Sequence, residues 1–206
     1  MARRVVVALL GPVAWTPPGI DPAAWRAALA EDVVDLLATL QEVETAIAAV
    51  PADRALAESV TWPGMAVYEV PAATGTAVLA ALAGAGYDEA AVVAADAPDL
   101  PGLTVGKLLR PLTTRPVALA PVEGSGTGLL GVASRLPVPA WLPEVDLDVA
   151  HPAEVRRAAP RPGDVAVTAA WRRMRGPADL AALDPAVEGW ETTRALLSSP
   201  PVSIHI

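Results

Sequence analysis

Apolar runs of strand length alternate with segments of helical spacing in this chain, and this alternation restricts the possible folds more than any other feature. Val5–Leu10 is continuously apolar and ends at Gly11, which predicts a buried strand. Asp21 and Pro22 then supply an N-cap and a proline for the first helical turn. Apolar residues follow at helical spacing over Trp25–Leu40, so the chain opens with a strand, a loop and a long helix.

The same alternation continues along the chain. Residues 41–50 fit either a longer first helix or, by their period of two, a second strand, which we favour. Further strands are predicted over Ala66–Val70, Ala90–Ala95, Val117–Pro121 and Leu129–Ser134, and helices over residues 52–59, Thr74–Ala83, Leu103–Leu112, Pro177–Leu183 and Val187–Ser198. This order predicts one domain over residues 1–206, a three-layer α/β/α fold with a mostly parallel central sheet.

Composition excludes several classes of site. The absence of cysteine excludes disulfides, thiolate metal sites and a cysteine nucleophile, and two histidines, His151 and His205, are too few for a recognisable metal cluster. The chain begins M-A-R-R-V-V-V-A-L-L-G-P, and the apolar run in this stretch is too short for the hydrophobic region of a signal peptide. No apolar run in the sequence approaches the roughly 18 residues of a membrane span. We therefore predict a cytoplasmic protein without a membrane partner.

Charge is distributed unevenly. The net charge is −8, and residues 1–106 hold four arginines against thirteen acidic residues. Nucleic acid is an unfavoured partner, because binding it requires a basic face. The basic residues that do cluster, which we interpret as a solvated surface, are Arg156, Arg157, Arg161, Arg172, Arg173 and Arg175. The sequence leaves the oligomeric state open.

Two aspartates follow the apolar run near the middle of the chain, which reads A-V-V-A-A-D-A-P-D-L-P-G over Ala91–Gly102. Ligands of open α/β sheets bind beyond the carboxyl ends of the strands, where Asp96 is expected. A carboxylate there is suited to hold Mg²⁺, and Asp99 is placed to join the same ion or to cap the next helix. The alternative is that both aspartates only satisfy backbone groups at a strand-to-helix turn.

The segment A-V-V-A-A-D-A-P-D-L-P resembles the hallmark of a bacterial glycosyltransferase-like family with the nucleotide-diphospho-sugar transferase fold. More distantly it is similar to phospholactate and molybdopterin guanylyltransferases. The resemblance implies that Asp96 is catalytic and helps to bind Mg²⁺. It also implies that a Gly-rich turn contacts the acceptor or the nucleotide, and here that turn is Gly124-Ser125-Gly126-Thr127-Gly128. An ordinary turn between two strands explains the same residues equally well.

The chain departs from this family in two places. Active members carry a basic loop, G-R-x-K-T-R-L, after the first strand, whereas this chain reads G-P-V-A-W-T-P-P from Gly11 and has no cation there. Near the end, Arg175 stands where relatives carry an aspartate that is a candidate second metal ligand. Asp148, in the segment E-V-D-L-D-V, is the candidate replacement. The alternation of that segment favours a different role, in which Asp146 and Asp148 form the polar face of a strand.

Two functions remain open at this point. The first is a metal-dependent nucleotidyl- or glycosyl-transferase-like protein that binds a nucleotide or nucleotide-sugar, with Arg172, Arg173 and Arg175 supplying the missing positive charge. The second is a catalytically lapsed member of the fold that acts as a binding or scaffolding protein. The residues expected to contact the nucleotide are Gly11, Asp99, Gly124, Ser125, Gly126, Thr127 and Arg175, with Asp96 and Asp148 on the metal.

Overall fold

The computed structural model describes residues 2–198, which are built around a seven-stranded sheet. The strands are β1 (Arg4–Leu9), β2 (Glu44–Ala49), β3 (Ala66–Glu69), β4 (Glu89–Ala94), β5 (Val117–Pro121), β6 (Leu129–Arg135) and β7 (Val165–Val167). They lie in the order β3-β2-β1-β4-β6-β5-β7. Only β6 runs against its neighbours, β4 and β5, so the prediction of a mostly parallel sheet is confirmed.

Helices cover both faces of this sheet and make the three layers expected from the sequence. They are α1 (Pro22–Ala38), α2 (Arg54–Val60), α3 (Gly75–Gly84), α4 (Gly102–Leu109), α5 (Pro152–Ala158), α6 (Pro177–Ala181) and α7 (Glu191–Ser198). Apolar residues of α1, α2 and α4 pack on one face, and those of α3 and α5 pack on the other. No helix within residues 2–198 combines the length and the apolar character needed to cross a membrane.

The continuous apolar run of β1 follows from burial on both faces. Successive side chains of a strand point to opposite faces. Val6 and Ala8 therefore join the core under α1, whereas Val5 and Val7 join the core under α3. The predicted start of α1 is also confirmed, because the Asp21 carboxylate accepts the Ala24 N–H at 2.8 Å.

Several expectations about the second half of the chain were wrong. Asp146 and Asp148 lie in a loop and not in a strand, and the Asp148 N–H donates to Asp146 Oδ1 at 2.8 Å, so a local turn produces the alternating pattern. The helix after β4 ends at Leu109 and continues only as a 3₁₀ turn. Sequence reasoning missed α5 and β7, which are short and lie where proline and arginine obscure the periodicity. The terminal S-I-H-I with His205 lies outside the described residues.

The strand directions bring distant loops to one edge of the sheet. The six parallel strands end at this edge and the antiparallel β6 begins there. The loops after β1, β4 and β7 and the Gly-rich turn between β5 and β6 therefore lie side by side. We call this region the carboxyl edge.

Candidate functional site

A narrow cleft opens at the carboxyl edge, between the loops that follow β1 and β4. The chain places β2 and β3 on one side of β1 and then returns to place β4 on the other side. Open α/β sheets bind ligands at the position where the strand order reverses in this way. The free space inside is close to that of a single water molecule. Most of its wall is apolar, and its three charged side chains come from Arg26, Asp96 and Arg173.

The Asp96 carboxylate is held by an arginine from the C-terminal part of the chain. Arg173 Nε donates to Oδ1 at 2.6 Å, and Arg173 Nη2 donates to Oδ2 at 2.9 Å. Both side chains are almost completely buried, with 4% and 5% of their surface exposed. The Met174 N–H also donates to the Asp96 carbonyl at 2.8 Å. Asp96 is therefore engaged through its side chain and its backbone by one segment.

All five N–H donors of the Arg173 guanidinium have partners within the chain. Besides the two bonds to Asp96, Nη1 donates to the carbonyls of Leu129 at 3.2 Å and Leu147 at 3.0 Å, and Nη2 lies 2.7 Å from Asp148 Oδ1. Burial lowers the pKa of Arg173, but the charges of Asp96 and Asp148 outweigh this effect and raise the pKa above its ordinary value. Arg173 is a permanent cation with no donor left for a ligand.

Asp99 is engaged by two other residues of the same C-terminal segment. Trp171 Nε1 donates to Asp99 Oδ1 at 3.1 Å, and Arg172 Nε donates to Oδ2 at 2.9 Å. The guanidinium of Arg172 also stacks over the Trp171 ring, 4.7 Å from its centre. Asp99 and Asp96 are therefore held by different arginines, and Asp148 lies with Asp96 and not with Asp99.

The Gly-rich turn lies beside Arg175. The Arg175 guanidinium makes only long hydrogen bonds, to the carbonyls of Thr127 at 3.5 Å and of Leu147 and Asp148 at 3.4 Å. Burial lowers the pKa of Arg175, and the nearby charge of Arg173 lowers it further. Gly128 provides the space for this guanidinium, since a Cβ built there would lie 2.5 Å from Arg175 Nη2.

The Ser125 hydroxyl of the turn forms its hydrogen bonds within the turn. Ser125 Oγ donates to the Thr127 carbonyl at 2.7 Å and accepts the Thr127 N–H at 3.2 Å. Gly124 and Gly126 lie in the same exposed stretch, with open space where a side chain would start. The turn thus contributes a carbonyl toward Arg175, and its contact with a nucleotide stays a prediction.

The loop after β1 packs against the C-terminal segment. Trp25 and Leu29 of α1 form a buried cluster with Met174, Leu183 and Trp190. The residues packed around this cluster include Val13, Trp15 and Ile20 of the loop and Leu180, Leu196 and Leu197 of the C-terminal segment. The loop that is basic in the resembling family is therefore an apolar anchor for residues 174–197 here.

The cation closest to this loop is also paired. Arg26, on α1, forms a two-point ion pair with Asp53, with both distances 2.6 Å, and its Nε donates to the Gly11 carbonyl at 3.1 Å. Gly11 lines the cleft, where its carbonyl accepts from an arginine already engaged by a carboxylate, and its contact with a nucleotide stays a prediction.

The structure thus brings together Gly11, Asp96, Asp148 and Arg175 at one edge and keeps Asp99 with Arg172. The residue whose role the sequence did not indicate is Arg173, because a buried arginine and a solvated one look alike in a basic segment. Among residues 2–198 no three or more carboxylate or histidine side chains are arranged to hold a metal ion. With Arg173 in place, the side chains do not fit Mg²⁺, so we assign it no step.

Known proteins match this chain only through their folds. No model of a protein family matches it, and no curated protein sequence does. A protein from Desulfovibrio desulfuricans G20, assigned as a nucleotide-diphospho-sugar transferase, superposes with a TM-score of 0.65 at 21% identity, over 96% of this chain and 94% of that one. The chain has the nucleotide-diphospho-sugar transferase fold.

Two more solved structures of this fold cover nearly the whole chain. The 4-diphosphocytidyl-2C-methyl-D-erythritol synthase of Anaerococcus prevotii DSM 20548 gives a TM-score of 0.59 at 9% identity, over 87% of this chain and 95% of that one. A nucleotidyl transferase of Methanothermobacter thermautotroptrophicus gives 0.55 at 13% identity, over 95% and 98%. At these identities the likeness establishes the fold alone, as the sequence resemblance implied.

Proposed function

We propose that this chain is a catalytically lapsed member of the nucleotide-diphospho-sugar transferase fold that acts as a binding or scaffolding protein. The observation that carries this proposal is the two-point ion pair between Asp96 and Arg173, at 2.6 and 2.9 Å. Asp96 is the carboxylate that the resemblance assigns to the metal, and both of its oxygens are taken by a buried guanidinium.

The charge balance at the carboxyl edge supports the same proposal. A nucleoside triphosphate carries about four negative charges, which transferases offset with positioned cations. Here Arg26 is paired with Asp53, Arg172 with Asp99, and Arg173 with two aspartates. The Arg175 guanidinium makes no hydrogen bond shorter than 3.4 Å and lies 3.7 Å from Asp148 Oδ1. The edge therefore offers little uncompensated positive charge to a polyphosphate.

The alternative is a metal-dependent nucleotidyl- or glycosyl-transferase-like protein that binds a nucleotide or nucleotide-sugar. One observation favours it: Asp96, Asp148 and Gly11 do converge at the edge where this fold binds ligands. Asp96 and Asp148 would then hold Mg²⁺, which would neutralise the phosphates of the nucleotide. This function requires Arg173 to withdraw from Asp96 and the cleft to widen.

Thermal unfolding with nucleotides separates the two functions. We expect GTP, CTP and sugar nucleotides, each with Mg²⁺, to leave the melting temperature of the wild-type protein unchanged. A ligand at a hundred times its Kd stabilises a protein by roughly 2.7 kcal/mol, so binding would be visible. A Mg²⁺-dependent rise that Asp96→Ala removes would overturn the proposal. The matched control is Glu58→Ala, which removes a carboxylate from an exposed ion pair with Arg54.

A further inference from the structure

We propose that two copies of this chain associate about a two-fold axis. In this pair, a basic face of α4 from each copy docks in an acidic groove beside α1 of the other copy. The contact forms between wild-type chains. It goes beyond the proposed function, because it does not depend on whether the chain retains transferase activity.

The outer face of α4 combines an apolar side chain with two cations. Leu103, Lys107 and Arg110 are spaced four and three residues apart, so they lie on one face of the helix and of the 3₁₀ turn that continues it. All three are exposed, Leu103 to 69%. Neither cation forms an ion pair within residues 2–198. We call these three residues the basic face.

A groove of opposite charge lies between α1 and the loop that follows α2, and we call it the acidic groove. Its walls include Glu31, Asp35 and Trp62. Trp62 is 52% exposed, and its Nε1 donates to Asp35 Oδ1 at 2.7 Å, so the indole is held in place at the surface. Glu31 and Asp35 lie one helical turn apart, where like charges repel. Neither is paired with a cation in the part of the chain that the structure describes, so the groove favours a cation from outside.

The basic face and the acidic groove match in chemistry. A guanidinium stacks on aromatic rings and pairs with carboxylates, so Arg110 of the second copy is suited to Trp62 and the carboxylate beside it. Lys107 adds a second cation for Glu31, and Leu103 adds apolar area. Because the indole is already held in place, little side-chain entropy is lost on contact, and tryptophan contributes strongly to many interfaces.

The positions of the two surfaces suit a two-fold axis. The helices α1, α2 and α4 pack on the same face of the sheet. The helix α4 begins beside the end of α1, since a Cβ built at Gly102 would lie 3.6 Å from Leu40 Cδ2. The basic face and the acidic groove therefore flank α1, and a two-fold axis near this helix places each opposite the other in the second copy. Each contact then forms twice. The net charge of −8 opposes association, so we expect a weak pair.

Sedimentation velocity of the full chain tests the association. At about 0.15 M salt, the sedimentation coefficient of the wild-type protein should rise with protein concentration toward that of a dimer. At about 1 M salt the rise should shrink, because the Debye length falls from about 8 to about 3 Å. Trp62→Ala leaves the charge unchanged and should raise the Kd of the dimer at least about fivefold, since a cation–π contact is lost twice.

An exchange of charges tests the pairing itself. Arg110→Glu alone and Glu31→Arg alone each place like charges in both contacts, and each should raise the Kd by more than about tenfold. An equimolar mixture of these two variants should associate again, because one contact of the mixed pair has exchanged charges and the other is wild-type. The matched control is Arg156→Glu, an exposed position on α5 at the other face of the sheet. Mixed with Glu31→Arg, it has the same net charge as Arg110→Glu and should not restore association.

Several results would overturn the proposal. They are a wild-type protein that stays monomeric up to about 1 mM, association that is unchanged or stronger at about 1 M salt, a Trp62→Ala protein that associates like the wild type, equal effects of Arg110→Glu and Arg156→Glu, and a mixture that regains nothing. Since the pair is weak, dilute protein unfolds as a monomer, and the melting temperature of each dilute variant verifies its fold. No nucleotide is used, so the result is independent of the test of the proposed function.

Discussion

Arg173 gives the aspartate of the acidic motif an ion-pair partner within the chain. The sequence places Asp96 at the carboxyl edge of the sheet, and the structure has it there. A cation also lies against it, but that cation is a guanidinium with its five donors satisfied by Asp96, Asp148 and two carbonyls. Asp96 and Asp99 therefore form ion pairs that connect the loop after β4 to the C-terminal segment.

Replacement of Asp96 by asparagine tests this structural role. Asp96→Asn leaves Arg173 buried with one carboxylate partner and places an amide N–H₂ against its donors. Removing one partner of a buried ion pair typically costs about 3–5 kcal/mol, and we expect a loss of that size in the free energy of unfolding, measured with urea. Glu58→Gln, in an exposed pair, should cost under about 1 kcal/mol. Equal losses in the two variants would contradict a structural role for Asp96.

Gly128 is the second residue whose identity the structure explains. Its φ is +84°, and an added Cβ would lie 2.5 Å from Arg175 Nη2. Gly128→Ala should therefore destabilise the protein by about 1–3 kcal/mol, since the backbone is strained and Arg175 must move. Gly126→Ala, in the same turn with nothing within 4 Å of the new Cβ, is the control and should change stability far less. Urea midpoints that shift alike would show that the turn tolerates both side chains.

The sequence indicated where these side chains lie in the fold better than it indicated which residues they contact. Asp96, Asp148, Gly11 and Arg175 were predicted to contact a nucleotide or a metal; they lie at one edge of the sheet, and those contacts stay predictions. The partner of Asp96 could not be predicted, because Arg173 is 77 residues away and follows an unpredicted strand. The spacing of apolar residues indicates which face of a strand or helix is buried, and it carries no information about contacts between loops that are distant in sequence.

The bounds of the C-terminal helices were predicted less exactly than those of most strands. Five of the seven strands were predicted within one or two residues; the predicted start of β2 was less exact and β7 was missed. In β1 and β4, burial on both faces leaves the continuous apolar run that made the prediction possible. The last helices are shorter than predicted, Pro177–Ala181 and Glu191–Ser198, because few of their residues are buried. They dock on α1 through the cluster of Trp25, Met174 and Trp190.

Loss of Trp190 should release these helices and spare the sheet. Trp190 is 4% exposed and its Nε1 donates to the Asp184 carbonyl at 3.2 Å. In Trp190→Ala, hydrogen exchange should accelerate by at least about tenfold over residues 174–198, while β1 and β4 keep their protection. Trp62→Ala is the control, because Trp62 is 52% exposed. Faster exchange in β1 and β4 to the same extent would mean that the cluster supports the whole fold.

The contact between α1 and α7 should depend on pH. Buried Asp32 accepts the N–H groups of Thr192 and Thr193 at the start of α7, both at 2.9 Å. Burial raises the pKa of Asp32 above its ordinary value of 3.8, although the bonds to Thr193 and Thr192 oppose this. The folded state therefore binds the proton more tightly than the unfolded state, and this stabilising contribution is lost as the pH rises through the raised pKa.

Asp32→Asn cannot ionise and removes this dependence. Relative to the variant, the wild-type protein should lose stability between acidic and neutral pH, measured as urea unfolding at pH 4 and pH 7. Glu31→Gln changes an exposed carboxylate on the same helix and serves as the control. The prediction would be contradicted if the difference in free energy of unfolding between the wild type and Asp32→Asn were the same at both pH values. It would also be contradicted if the wild type gained stability relative to the variant as the pH rises.

For the whole molecule, the sequence predicted the architecture more completely than the chemistry. The alternation of strands and helices and the resemblance of Asp96–Pro101 both led to the three-layer fold, and the solved structures confirm that fold. Function depends instead on how loops from four strands meet at one edge. In this chain the buried ion pair between Asp96 and Arg173 forms at that edge without any change in the sheet.

Residues 1–206 are predicted to form one domain, and unfolding measures this directly. Gly131 lies where β6 joins the parallel strands, and an added Cβ would meet the Val92 carbonyl at 2.6 Å. Gly131→Ala should therefore lower stability by about 1–3 kcal/mol through overpacking, at the centre of the sheet. Because the sheet supports both helical layers, tryptophan fluorescence and far-ultraviolet circular dichroism should report the same shifted midpoint. Two separate transitions, with only one of them moved by Gly131→Ala, would show instead that the chain contains two independently folding parts.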